Sequence, residues 1–201
     1  MQSLKSKPSD KKAEKSILFL GDSITEGYRL PFQSSYPFLI QKKLIEKNRL
    51  CRVINGGISG DTSENALQRF QQYNSEYDNL SCMVIQLGLN DIFHDIPFSL
   101  IERNIIKIIQ IARERYTEIQ IFLIEMKLMK YFPDLTKKQF EELYKNISRT
   151  ENVTLLPFLM EGVMDNPDLT MDDGLHPNEE GMTAVAENVW NSLYPYLPEV
   201  S

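Results

Sequence analysis

Five short runs, Ile17–Leu20, Arg52–Ile54, Met83–Leu87, Ile119–Ile124 and Val153–Leu156, alternate with longer segments whose apolar residues recur every three or four positions. Bursts of this length with little polar alternation suit strands covered on both faces. The segments between them read as amphipathic helices. One opens at Pro37 with Ile40 and Leu44, and a second follows an Asp61/Glu64 capping box with Ala66, Leu67 and Phe70. A third stacks Ile101, Ile105, Ile108 and Ala112, and a fourth covers 136–147. The last follows Asn178 with Met182, Val185, Ala186, Val189 and Leu193. Such alternation, with right-handed crossovers, demands a parallel sheet between two helical layers. The predicted fold is α/β, a flavodoxin-like three-layer α/β/α sandwich with a five-stranded parallel sheet in the order 2-1-3-4-5. Leu128 to Pro133 reads as irregular loop.

A chain of 201 residues supports one domain, placed here at 16–201. Ahead of it, residues 1–15 carry Lys5, Lys7, Lys11, Lys12 and Lys15 against Asp10 and Glu14 and read as a solvated, disordered basic leader. That leader has no apolar stretch fit for a signal peptide, so the chain as written reads as cytoplasmic. No run approaches the roughly 18 apolar residues of a membrane span. A net charge of −6, with no cluster of basic and interleaved aromatic residues, argues against a nucleic-acid partner. Cys51 and Cys82 each head an apolar run and read as free, buried thiols.

In an open parallel sheet ligands bind outside the carboxyl ends of the strands, at the point where strand order reverses. The proposed order places Ser23 there, with Gly60 to one side and Asn90 to the other. A serine hydroxyl becomes a nucleophile only beside a base. The chain has two histidines. His176 has Asp173 three residues upstream across Gly174, a spacing that sets an imidazole and its orienting carboxylate on one turn, whereas His94 follows Asn90-Asp91-Ile92-Phe93 with no carboxylate arrangement beyond those neighbours. Asp172 is the second choice of orienter, and Asp22 reads as structural, bonding nearby backbone N–H groups. The developing oxyanion needs fixed donors, which the backbone of Ser23 and Gly60 and the side chain of Asn90 supply. Each fragment alone has a plainer use as a cap or turn; their joint appearance, in order, points to a site. A P-loop, a dinucleotide fingerprint and the Gly-x-Ser-x-Gly elbow are all missing. The reading requires no cofactor and no metal. Apolar residues after strands 3, 4 and 5, namely Ile92, Phe93, Leu128, Met129, Phe132 and Met160, are candidates to line an acyl groove.

Four blocks, Leu20–Ile24, Ile58–Thr62, Gly88–Asp91 and Asp173–Pro177, resemble the signature of the GDSL/SGNH hydrolase family, named for Ser, Gly, Asn and His. The likeness runs from about Ile17 to Leu193. Gly27-Tyr28-Arg29, Ser59–Ser63 and Leu155–Glu161 further resemble its bacterial branch of acyl-CoA thioesterases, lysophospholipases and arylesterases. The resemblance implies a serine hydrolase acting on acyl esters and thioesters, small-molecule substrates, through an acyl-enzyme. Leu89, and Met126–Pro133 after strand 4, depart from that branch's usual pattern, so chain-length preference does not carry over. Relatives are often exported, which leaves a periplasmic location open. Two other readings remain at this point: a carbohydrate O-acetylesterase of the same superfamily, and a non-catalytic flavodoxin-like domain holding a nucleotide or flavin.

Overall fold

The apolar runs become β1 (Lys15–Gly21), β2 (Cys51–Gly57), β3 (Leu80–Gln86), β4 (Gln120–Ile124) and β5 (Thr154–Leu156) in a computed structural model that describes residues 15–49, 51–72 and 79–197. All pair in parallel, in the order β2-β1-β3-β4-β5 predicted for the sheet. Residues 1–14 of the predicted leader lie outside the described residues, and Lys15 already belongs to β1.

Alternation along each strand divides the core in two. Leu18, Leu20, Met83, Ile85, Ile121 and Leu123 face one helical layer, built from α3 (Ser63–Gln72), α5 (Phe98–Arg115) and α6 (Asp134–Glu151). Ile17, Phe19, Cys82, Val84, Phe122 and Ile124 face the other, built from α2 (Tyr36–Glu46) and α7 (Glu179–Leu193). The helical stripes behave as their spacing requires: Ile101, Ile105, Ile108 and Ala112 of α5 are fully buried. Truncating one of these isoleucines to alanine costs about 2–5 kcal/mol, part of it for the cavity left behind.

The structure departs from the sequence reading near the ends of β1, β2 and β3. Two short helices, α1 (Ser23–Glu26) and α4 (Leu89–Phe93), begin where β1 and β3 stop, and both carry predicted site residues. The cap of α3 is Thr62, not Asp61. Thr62 Oγ1 accepts from the Asn65 backbone N–H at 3.3 Å, while Asn65 Oδ1 accepts from Thr62 N at 3.3 Å. Asp61 is unavailable because its carboxylate pairs with Arg69 Nε at 2.7 Å. The fourth helix also starts earlier and runs further than 136–147, since Pro133 precedes it and left-handed Asn152 ends it.

Candidate active site

β1 pairs with β2 up to Gly21↔Gly57 and with β3 up to Gly21↔Gln86, so the turn after Gly21 opens between two neighbouring strand ends. Gly21 must be glycine there: a Cβ would stand 2.1 Å from Thr25 Oγ1. Asp22 caps α1, its Oδ1 accepting from Ile24 N at 3.0 Å, and the cap makes Ser23 the first helical residue, with its side chain at the cleft.

From the far end of the chain comes the loop before α7. Asp173 Oδ1 accepts from the backbone N–H groups of Leu175 and His176, each at 2.9 Å, which folds the loop into a compact turn. Asp173 Oδ2 then accepts from His176 Nδ1 at 2.8 Å, leaving Nε2 as the acceptor 2.9 Å from Ser23 Oγ. Partial burial alone would raise the Asp173 pKa. The three hydrogen bonds from His176 and Leu175 outweigh it and hold the carboxyl at about 2, so it is ionised at neutral pH. Asp173, rather than Asp172, is the carboxylate on the imidazole. His94 takes no part in this hydrogen-bonded line; its exposed ring donates from Nδ1 to the Asn90 carbonyl at 2.7 Å.

Gly60 and Asn90 flank Ser23 as the strand order requires, and both line the same cleft. Gly60 has φ +82°, a left-handed conformation that glycine adopts without strain. Neither its backbone N–H nor that of Ser23 meets an acceptor among the described residues. Asn90 Nδ2 donates to the Asp61 carbonyl at 2.9 Å. A carboxamide has two N–H bonds, so this one fixes the amide plane and leaves the second for a ligand.

These loops are also tied to each other, Asp22 and Asp91 apart, by residues the sequence reading did not single out. Arg69 reaches from α3 to the carbonyls of Gly56, at 2.7 Å, and Gly21, at 3.2 Å, while pairing with Asp61. Asp91, fully buried, accepts from both the N–H and the hydroxyl of Ser63, and Asn104 Nδ2 donates to that hydroxyl. Burial raises the Asp91 pKa against the pull of the Ser63 bonds. Beneath α1 a buried chain runs from Tyr36 through Thr25 and Gln86 to Asp22. The Asp22 carboxyl is pushed up to about 7, chiefly by burial.

The cleft has a volume of about 220 Å³. Its apolar walls come from Ile24, Tyr28, Leu89, Phe93 and Leu175, of which only Phe93 belongs to the six residues expected to line a groove. Leu128 and Met129 are core residues, 3% and 4% exposed, and Ile92 packs onto the same core. Phe132 sits behind Phe93, ring centroids 6.4 Å apart. Met160 lines a small apolar hollow next to the cleft, sharing Ile24, Leu89 and Leu175 with it. Tyr28, not foreseen as a wall, lies over His176 with ring centroids 4.3 Å apart.

Residues 19–184 match the GDSL-like Lipase/Acylhydrolase family. The chain belongs to this family. It is 32% identical to an arylesterase of Vibrio mimicus over 92% of this chain and 91% of that one. It is 29% identical to the thioesterase 1/protease 1/lysophospholipase L1 of Escherichia coli strain K12, over 92% and 86% of the two chains. The crystal structure of TesA superposes with a TM-score of 0.85 at 30% identity, covering 90% of this chain and 99% of that one. Family membership makes the chain an acyl hydrolase. Among the described residues no helix is long and apolar enough to cross a membrane.

Proposed function

We propose that this acyl hydrolase cleaves carboxylic esters and thioesters through a Ser23–His176–Asp173 triad and an acyl-enzyme. The observation that supports it is the continuous hydrogen-bonded line from Ser23 Oγ through both His176 nitrogens to Asp173, at the strand-order switch point. Asp173 fixes the imidazole with its proton on Nδ1, so Nε2 accepts the Ser23 proton as Oγ attacks the carbonyl carbon. Negative charge then moves onto the carbonyl oxygen, where the N–H groups of Ser23 and Gly60 and the second N–H of Asn90 receive it. The intermediate collapses, the bond to the leaving oxygen or sulfur breaks, and His176 gives that atom its proton. Water next attacks the acyl-serine by the same route in reverse, releasing the carboxylic acid and restoring Ser23.

The names of the relatives, arylesterase and thioesterase, set the scope to oxygen and sulfur esters. Leu89 and Phe93, the first and last residues of α4, provide an apolar wall for the acyl chain. A buried methylene contributes up to about 0.8 kcal/mol, so kcat/KM should climb from acetyl toward medium chains until the cleft is full.

The test is hydrolysis of para-nitrophenyl octanoate by Ser23→Ala, with labelling of the unmutated protein by an alkylphosphonate. Alanine fits the same turn, so the variant should fold normally, lose turnover and take up no label. A folded Ser23→Ala protein with wild-type turnover would overturn the triad.

A further inference from the structure

His176 gives its proton to the departing group, so that group must lie against the imidazole, while the acyl chain lies toward Leu89 and Phe93. The next ring beyond the imidazole is Tyr28, and over Tyr28 lies Arg29, its guanidinium carbon 4.9 Å from the ring centroid. Arg29 is exposed, and no carboxylate among the described residues pairs with it. Its φ of 57° is left-handed, a conformation costing a bulky residue about 1 kcal/mol or more. The turn thus holds, on the cleft-lining Tyr28, a cation that no described carboxylate pairs with, in a backbone state that local preference does not provide, within a chain of net charge −6. Glu26, the carboxylate of the same turn, is engaged elsewhere, accepting from the N–H and hydroxyl of Ser59.

We propose that Arg29 selects leaving groups bearing an oxyanion a few bonds beyond the scissile ester, the spacing of the phosphate in a glycerophosphate. A guanidinium offers paired donors matched to phosphate or carboxylate, and the Tyr28 ring limits the arc it sweeps. This inference rests on the ester-hydrolase reading of the same cleft.

The experiment compares kcat/KM for monooctanoylglycerol and monooctanoylglycerol phosphate, both below aggregation, in the unmutated chain, Arg29→Asn and Arg29→Lys. Asparagine is chosen because it tolerates positive φ. Loss of hydrogen bonds to a charged group, about 1.5–3 kcal/mol, corresponds to a fall of about 10- to 100-fold in the phosphate-to-neutral ratio for Arg29→Asn. Arg29→Lys should recover part of it. The ratio should also fall with added salt in the unmutated chain and stay flat in Arg29→Asn. An Arg29→Asn ratio equal to that of the unmutated chain overturns the role of Arg29 alone. An unmutated chain inert on both esters overturns the hydrolase reading with it.

Discussion

Asn90 uses one amide proton on the Asp61 carbonyl and keeps the other for the cleft, so its geometry is set before any ligand arrives. Preorganisation of this kind acts on charge that exists only in the transition state. Asn90→Ala should therefore lower kcat by about 100- to 1000-fold with little change in KM. Steady-state kinetics check this directly; a raised KM at unchanged kcat would make Asn90 a ground-state binding residue. The residues of this scale whose convergence was legible in the sequence are those that type and order single out: Ser23, Gly60, Asn90, and the Asp173 and His176 pair on one turn. Tyr28 and Arg69 were not legible. A tyrosine in a loop carries no periodic signal, and Arg69 sits on a helix where its spacing reads as an ordinary exposed face. Only the fold brings Tyr28 over His176 and Arg69 under two strand ends.

At the level of elements, the parallel sheet and both helical layers followed from periodicity, because burial on two faces leaves few other arrangements, and the strand order from taking the most compact such sheet. The loops after the strands were harder to read. An apolar residue there packs inward or lines a cleft with the same composition, and direction depends on backbone turns that no period reports. Leu128 and Met129 turned inward, whereas Phe93, 43% exposed at the end of α4, faces the cleft. The two kinds should separate on mutation. Leu128→Ala should lower unfolding free energy by about 2–5 kcal/mol, as loss of a buried leucine does, and leave the acyl-length profile of the remaining folded enzyme unchanged. Phe93→Ala should cost well under that in stability, yet flatten the rise of kcat/KM with chain length. Urea titration and a series of para-nitrophenyl esters measure both effects, and a flattened profile in Leu128→Ala would return that residue to the groove. The α3 cap has a similar lesson: Asp61 and Glu64 fit the capping pattern, but a salt bridge to Arg69 outcompetes it and the cap passes to Thr62.

Asp22 couples the site to the stability of the whole molecule. Asp22 is 1% exposed, and its two carboxyl oxygens accept from Ile24 N and Gln86 Nε2 with no cation paired to them among the described residues. The folded protein therefore holds the proton up to about pH 7, against 3.8 for an ordinary aspartate. A protonated Asp22 needs an acceptor, and the Gln86 carboxamide, 3.1 Å from Asp22 Oδ2, would be that acceptor with its amide turned over. Because the raised pKa belongs to the folded state, the folded chain binds more protons than the unfolded chain between pH 4 and 7. Stability from this group is thus fully present below about 4 and lost as pH rises through about 7, to an extent on the order of 4 kcal/mol at most. Asp173 has the opposite sign, but its depressed pKa confines its effect to more acidic solution. Asp91 shifts in the same direction as Asp22, so total stability does not isolate either group. The difference between the unmutated chain and Asp22→Asn does, since asparagine keeps the shape, accepts from Ile24 and carries no titrating proton. Urea unfolding from pH 4 to 8 should show Asp22→Asn gaining on the unmutated chain steadily as pH rises, then running parallel above 7. Parallel curves throughout that range would mean that Asp22 stays ionised in the fold, and that its hydrogen bonds to Gln86 and Ile24 outweigh burial.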